Sequence, residues 1–188
     1  MLRLTTFVGK IIHMNTWKID NMHSEIGFKV RHMMISNVSG SFKTFDANLT
    51  TSGDDFSDVA IDFTAQIGSI NTGVQDRDGH LLSADFFDAE KFPTLEFKST
   101  SIDKNADSEW HIHGDLTLKG ITHPVVLRAD FAGIATDPYG QTKTGMSIHG
   151  KIKRSDFGLT WSAVTEAGNV VLGDEITLQS EVQFVKQA

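Results

Sequence analysis

From Trp17 onward, apolar and polar residues alternate with a period of two, the signature of strands that bury one face. Ile26, Phe28, Val30, His32 and Met34 share one face. Val38, Gly40 and Phe42 continue after a break, followed by Phe45, Ala47 and Leu49. The next run sets Val59, Ile61, Phe63, Ala65 and Ile67 against Asp62, Thr64 and Gln66. Leu95, Phe97 and Ser99 form another, and Trp110, Ile112, Gly114, Leu116 and Leu118 follow a polar turn. Lys119 to Pro124 reads as a turn leading to Val125, Leu127, Ala129 and Phe131. Asp137-Pro138-Tyr139-Gly140 has the residues of a type I turn. It feeds Met146, Ile148, Gly150, Ile152 and Arg154, and the last run carries Ile176, Leu178, Ser180, Val182 and Phe184. About eight to nine strands joined mostly by short turns predict an all-β, up-and-down antiparallel sheet. Such a sheet loses its exposed edges by closing on itself. Closed with eight strands, it is either filled by its own side chains or holds one small ligand.

One segment departs from the alternation: Thr72 to Asp88 reads as a short helix. Thr72 and Gln75 have the spacing of a capping box, in which the Thr72 hydroxyl accepts from the Gln75 amide and the Gln75 side chain reaches back. The segment ends on Leu81, Leu82, Phe86 and Phe87, which need an apolar surface. A short helix set into a long antiparallel sheet is expected to act as a lid.

Composition narrows the function. The 188 residues, with three prolines and no low-complexity run, fit one domain with a sizeable core. A net charge of −7 argues against nucleic acid or an anionic membrane surface as partner, since both require a basic field. The absence of cysteine excludes a disulfide scaffold and Cys-based metal or nucleophile sites. Thirteen Phe against one Tyr supplies apolar area without polar handles, which suits either a Phe-rich core or a large apolar interior. The apolar patch in residues 1–13 is broken by Arg3, Gly9 and Lys10, too short for a signal sequence or a membrane span. The expectation is a poorly ordered or loosely docked leader, with Met14 a candidate start, before a single domain over 14–188. The location expected is cytoplasmic, or periplasmic if the N-terminus is incomplete.

Three motifs then combine. The first is Trp17-Lys18-Ile19-Asp20 followed by His23-Ser24-Glu25-Ile26-Gly27-Phe28-Lys29-Val30-Arg31-His32. The second is Arg77-Asp78-Gly79-His80-Leu81 with Ser83-Ala84-Asp85-Phe86-Phe87-Asp88. The third joins Gly114-Asp115-Leu116-Thr117-Leu118-Lys119-Gly120-Ile121-Thr122 to Lys153-Arg154-Ser155-Asp156-Phe157-Gly158-Leu159. In this order, from Trp17 to Phe184, they resemble the YceI-like family of polyisoprenoid-binding proteins. The resemblance implies an eight-stranded, lipocalin-like antiparallel barrel whose apolar tunnel holds a polyprenyl chain or a quinone tail, for transport, storage or sequestration. It implies a binding protein without chemistry of its own, a homodimer, and no cofactor beyond the lipid or a ubiquinone-like ligand. Many family members carry a signal peptide and work in the periplasm.

The inward faces supply the residues expected to touch that lipid: Phe28, Val30, His32, Phe42, Ile61, Phe63, Phe97, Leu116, Met146, Ile148, Ile152 and Arg154. The helical segment adds Leu81, Leu82 and Phe86. His32 is read either as a satisfied core histidine or as a donor to a ligand head. Arg154 on an apolar face must be paired, with Asp156 or a nearby carboxylate, or meet an anion. Arg77 and Asp78 are expected to pin the helix to neighbouring loops, with Arg77 alternatively receiving a phosphate or quinone oxygen. His111 and His113 project from one side of a strand, as solvent-facing residues or the beginning of a metal site. Ser24 beside His23 lacks the Gly-x-Ser-x-Gly setting of a hydrolase nucleophile. Two other readings stand beside lipid binding. One is an enzyme on a small amphipathic substrate, with His32 as base and Arg154 as electrostatic stabiliser. The other is a metal-binding module on His111 and His113.

Overall fold

The computed structural model describes residues 14–53, 56–104, 109–164 and 171–188. The leader expected over residues 1–13 lies outside the described residues. Among the described residues eleven strands form one antiparallel sheet: β1 Asn15–Ile19, β2 Glu25–His32, β3 Ser36–Phe42, β4 Phe45–Thr51, β5 Ala60–Gln66, β6 Ile70–Asn71, β7 Thr94–Lys104, β8 Trp110–Leu118, β9 Ile121–Thr136, β10 Thr142–Lys153 and β11 Leu172–Lys186. They trace eight paths, because β1 with β2, β3 with β4 and β5 with β6 are each one path with a bend in it. The ring runs β1-β4-β5-β7-β8-β9-β10-β11 and closes where Trp17, Lys18 and Ile19 pair with Lys186, Val185 and Phe184. The expectation of an all-β, eight-stranded closed antiparallel barrel is met.

The three bends lie side by side and are tied together. Asn21 Nδ2 donates to the Phe45 carbonyl at 2.7 Å, and the Lys43 and Thr44 amides donate to Ser69 Oγ at 3.1 and 3.0 Å. Beyond them, β11 pairs with β2, β2 with β3, and β3 with the two-residue β6. Between β6 and β7 the chain passes through the helix α1, Gln75–Leu82, and a run of turns. The far end is plugged. Trp17 and Leu49 are fully buried, and Phe56 bridges Trp17 and Phe131 with ring centroids 5.4 and 4.6 Å apart. Aromatic contact of this kind adds to the area each ring buries.

Local chemistry alters several expectations. The helix is shorter than 72–88, and the capping box is absent. The N-cap is Val74, without a side-chain cap, because Thr72 is engaged elsewhere: its amide and its hydroxyl both donate to Asp78 Oδ1. After Ser83 the chain leaves the helix for turns, closed by bonds such as Asp88 N to Ser83 O at 2.9 Å, with Asp88 at φ +49°. Met34 is not on the inward face. Met33, Met34 and Ile35 connect β2 to β3; Met33 and Met34, at φ +50° and +61°, are the central residues of a turn in which the Ile35 amide donates to the His32 carbonyl at 3.2 Å. Lys119 and Gly120 repeat the device at +52° and +73°, so Thr122, His123 and Pro124 open β9 rather than belonging to the turn. The Asp137 turn forms as expected, with Gly140 N donating to Asp137 O at 3.0 Å.

Candidate functional site

The barrel encloses a cavity of about 360 Å³ between the aromatic plug and α1, within the range of small-molecule sites. Alternation along the strands places Phe28, Val30, His32 and Phe42 on its wall from β2 and β3, with Ile61 and Phe63 from β5. Phe97, Leu116, Ile148 and Ile152 complete the strand wall, and Leu81 and Phe86 close it from the helical side. Two expected wall residues lie off the cavity. Met146 is buried in the core against β9, where the register shift between Thr144 and Met146 puts it opposite Phe131 of the plug. Leu82 packs on the core one helical position beyond Leu81, and the helix turns it away from the wall.

Two glycines let aromatic rings lie against this wall. Gly40 stands opposite Phe28 in the ladder, and an added Cβ there would overlap the Phe28 ring. Gly114 does the same beneath Phe97. Here a missing side chain makes room for a cavity-lining ring.

The polar part of the site is built around Arg154, which starts a 3-10 turn, Arg154–Phe157, at the end of β10. Gly158, at φ +68°, ends the turn in the left-handed conformation that glycine tolerates. The guanidinium is buried and lines the cavity. Its Nε donates to the Gly173 carbonyl at 3.0 Å. Nη1 donates to the carbonyls of Leu159 and, at 2.7 Å, Trp161. Nη2 reaches the Leu172 carbonyl at 3.4 Å. The salt bridge expected with Asp156 does not form: among the described residues no ion pair to Arg154 is present, and Asp174 acts on it only from a distance. Asp174 is itself held by the Ser155 amide and hydroxyl. Burial pushes the Arg154 pKa below its ordinary value, and Asp174 opposes that shift.

Arg77 on α1 donates from Nε and Nη2 to the Thr72 hydroxyl and carbonyl at 2.7 and 2.8 Å. With Asp78 on the same residue, the pair ties the helix to the chain before it. His80 meets Phe86 and Trp161 edge-on, with centroids 5.0 and 5.2 Å apart, and its Nε2 lies 3.1 Å from Asp85 Oδ2. His32 lies opposite Leu172 in the β2–β11 ladder and lines the cavity. Alternation along a strand made His32 visible in the sequence. Leu159 and Trp161 line the cavity from outside any strand or helix, so periodicity gave no signal for them; their only cue is closeness to the Arg154–Leu159 motif.

His111 and His113 point away from the cavity. His113 Nε2 lies 2.7 Å from Asp103 Oδ2, and His111 Nε2 3.0 Å from Glu109 Oε1. Among the described residues no group of three or more histidine and carboxylate side chains is arranged to hold a metal ion. No helix among them is long and apolar enough to cross a membrane.

Comparison with known proteins places this architecture. A "UPF0312 protein" of Staphylococcus epidermidis is 35% identical over 172 residues, covering 91% of this chain and 98% of its own length. The crystal structure of the Campylobacter jejuni YceI protein superposes with a TM-score of 0.72 at 35% identity, over 84% of this chain and 90% of that one. A polyisoprenoid-binding domain from Saccharophagus degradans shares the fold at a TM-score of 0.66 and 12% identity, over 91% of this chain and 98% of that one. Residues 17–184, from the buried Trp17 of the plug to Phe184 in the closing ladder, match the YceI-like domain. A closed barrel with a helical cover, three motifs in order and a match over nearly its whole length make this chain a member of the YceI-like domain family.

Proposed function

We propose that this protein binds a long-chain isoprenoid lipid, a polyprenyl chain or the tail of a quinone, inside its barrel and carries, stores or sequesters it without acting on it chemically. The observation that carries this reading is the cavity itself, an interior of about 360 Å³ walled by Phe, Ile, Leu and Val from facing strands. A side-chain-filled barrel would have no such space. Burying a hydrocarbon there contributes about 0.8 kcal/mol per CH₂, so affinity grows with chain length, while the cost of association keeps the total well below the sum. The related fold from Saccharophagus degradans, described as polyisoprenoid-binding, supports the same reading. In this reading the protein works in the cytoplasm as a homodimer.

Organic extraction and native mass spectrometry of purified full-length protein test the proposal. A long-chain lipid released in near-stoichiometric amount supports it. Its absence, with no rise in thermal stability on adding polyprenyl lipids, would refute it. Sedimentation equilibrium distinguishes one copy from two.

A further inference from the structure

The turn between β2 and β3 carries side chains that its backbone does not favour. Its two central residues, Met33 and Met34, lie at φ +50° and +61°. Two consecutive positive φ angles belong to a turn that glycine, asparagine and aspartate dominate, because a longer side chain crowds the backbone there. The chain keeps methionine at both places and follows them with Ile35. None of the three belongs to the hydrophobic core: Met34 is 58% and Ile35 77% exposed, and Met33 is exposed as well. Val164, 70% exposed, adjoins them, because the Met33 amide donates to the Val171 carbonyl at 2.7 Å and the Val171 amide to the Ala163 carbonyl at 2.9 Å. Backbone strain without packing in return marks side chains kept for a purpose outside the fold.

The charge behind this tip departs from that of the chain. The net charge is −7, yet residues 26–45 form the longest run without aspartate or glutamate. Arg31 and Lys29 stand on the outward face of β2, alternating with the cavity-lining Val30 and His32, two and four residues back from Met33. At about 3.3 Å per residue they lie about 7 and 13 Å behind the tip. Among the described residues they bond to the amide oxygens of Asn37 and Gln179, at 3.3 and 3.0 Å, rather than to carboxylates. An apolar end with long cationic side chains set behind it has the layering of a lipid monolayer, hydrocarbon first and phosphates next. The apolar residues also sit on the projecting end of a hairpin rather than in a groove, which suits insertion into a fluid surface better than a fit against a second protein.

We propose that the Met33-Met34-Ile35 tip, with Val164 beside it, docks this protein on an anionic bilayer, its apolar side chains entering the headgroup boundary while Arg31 and Lys29 meet lipid phosphates. Salt screens each charge beyond about 8 Å, so the acidic remainder of the protein does not cancel this local attraction. His32 and Val171, next to the tip and bonded to it, line the cavity, so docking brings that end of the barrel to the bilayer. The proposal goes beyond the lipid-binding reading and holds whatever occupies the cavity.

Flotation of the full-length protein with phosphatidylcholine vesicles, with and without phosphatidylglycerol, tests it. The unmodified protein should float with the anionic vesicles. Ile35→Ser and Met34→Asn should each weaken that binding about 10-fold. Arg31→Gln should weaken it about 5-fold, and only on the anionic vesicles. Because asparagine suits the turn better than methionine, Met34→Asn should hold or raise the melting temperature while docking falls. No flotation of the unmodified protein overturns the proposal, as does binding unchanged in both Ile35→Ser and Met34→Asn. A Met34→Asn variant that melts at a lower temperature overturns it too, since the side chain would then be structural. An equal loss on both kinds of vesicle in Arg31→Gln overturns the choice of anionic lipid. If sedimentation without vesicles shows a dimer that Ile35→Ser separates, the tip is a contact between two copies and the proposal fails.

Discussion

Gly40→Ala separates the fold from the cavity. The added methyl would overlap Phe28 Cζ and stand 2.9 Å from Phe28 Cε1 and from Thr72 Cγ2. Carbon atoms settle about 3.5–4.0 Å apart, so the ring has to withdraw by about 1 Å. Phe28 lines the cavity, which gives the ring open space on that side. Overpacking a rigid site costs about 1–3 kcal/mol, but relief into open space avoids most of that, and replacing a strand glycine by alanine returns about 0.5–1 kcal/mol. Stability is therefore expected to change by less than about 1 kcal/mol. If the displaced ring excludes one or two methylene groups of the ligand, at about 0.8 kcal/mol each, lipid affinity falls about 4- to 15-fold. Gly114→Ala is the control. Its methyl would overlap Phe97 Cζ, stand 2.5 Å from Cε2, and stand 2.6 Å from the Lys98 carbonyl oxygen, which belongs to the neighbouring strand and cannot rotate away. That variant should lose about 2–3 kcal/mol. Urea denaturation without lipid and titration with a fluorescent polyprenyl lipid measure both quantities. Unaltered affinity in Gly40→Ala, or a stability loss equal to that of Gly114→Ala, would refute the reasoning.

Three further outcomes are expected. Arg154→Ala strips the donors from four carbonyls and should cost about 3–5 kcal/mol in urea denaturation; a loss below about 1 kcal/mol would show that water replaces the guanidinium freely. Lys143 lies 3.2 Å from Asp137 and 3.5 Å from Asp20. Burial works against the Asp20 charge, but the His23 hydrogen bond, the Met22 amide and Lys143 outweigh it. The Gln141 amide and Lys143 likewise lower Asp137, while the Asp137 hydrogen bond raises Lys143. The two carboxylates therefore contribute stability above the unfolded value of 3.8 that is lost as pH falls through their lower folded values. Lys143 contributes stability below its unfolded 10.5 that is lost as pH rises through its higher folded value. Lys143→Met should flatten both limbs of a Tm-against-pH curve, and an unaltered curve refutes this. Finally, α1 should be the least protected element in hydrogen exchange of the lipid-free protein and gain protection with lipid bound, because a short helix depends on its docking. Gly79→Ala, where the new methyl meets no atom within 4 Å, should strengthen the helix by about 1 kcal/mol and slow lipid exchange; an unchanged rate places the gate elsewhere.

What the sequence revealed followed the physics of each signal. Period-two alternation is written along the chain itself, so Phe28, Val30, Ile61, Phe97 and Ile148 were found on the wall from spacing alone. Met146 shares the inward face with Ile148 but lies off the cavity, opposite Phe131 of the plug, a depth that alternation does not encode, and Met34 was misplaced because the alternation runs on into the turn that reverses the chain. The capping box failed through competition. The Thr72 hydroxyl donates to the Asp78 carboxylate and accepts from the Arg77 guanidinium, a charged donor in the place a helix amide would have taken, and that choice depends on a fold that local spacing does not describe. Arg154 was legible as a cation on an apolar face. Its four carbonyl partners were not, because Leu159 and Trp161 lie in the irregular chain after the 3-10 turn and Leu172 and Gly173 at the start of β11, where no alternating pattern marks them.

The closing strand has a consequence for how the molecule comes into being. Every other ladder of the ring joins paths that are adjacent in the chain, but β11 joins its start, pairing with β1 at Trp17↔Lys186 and with β2 at Phe28↔Leu178. Those contacts have the greatest sequence separation of the strand pairings among the described residues, which makes folding slow relative to a helical protein of this size. During synthesis β11 emerges last. Until it does, the β1–β2 path and β10 present two unpaired edges, each a template for intermolecular pairing. The β11 share of the wall, including Ile176 and Leu178, the arginine fork's carbonyls at Leu172 and Gly173, and the place opposite His32 all arrive with those 15 strand residues. A chain without β11 therefore has an open sheet in place of a closed compartment, and the enclosure forms as the seam zips shut.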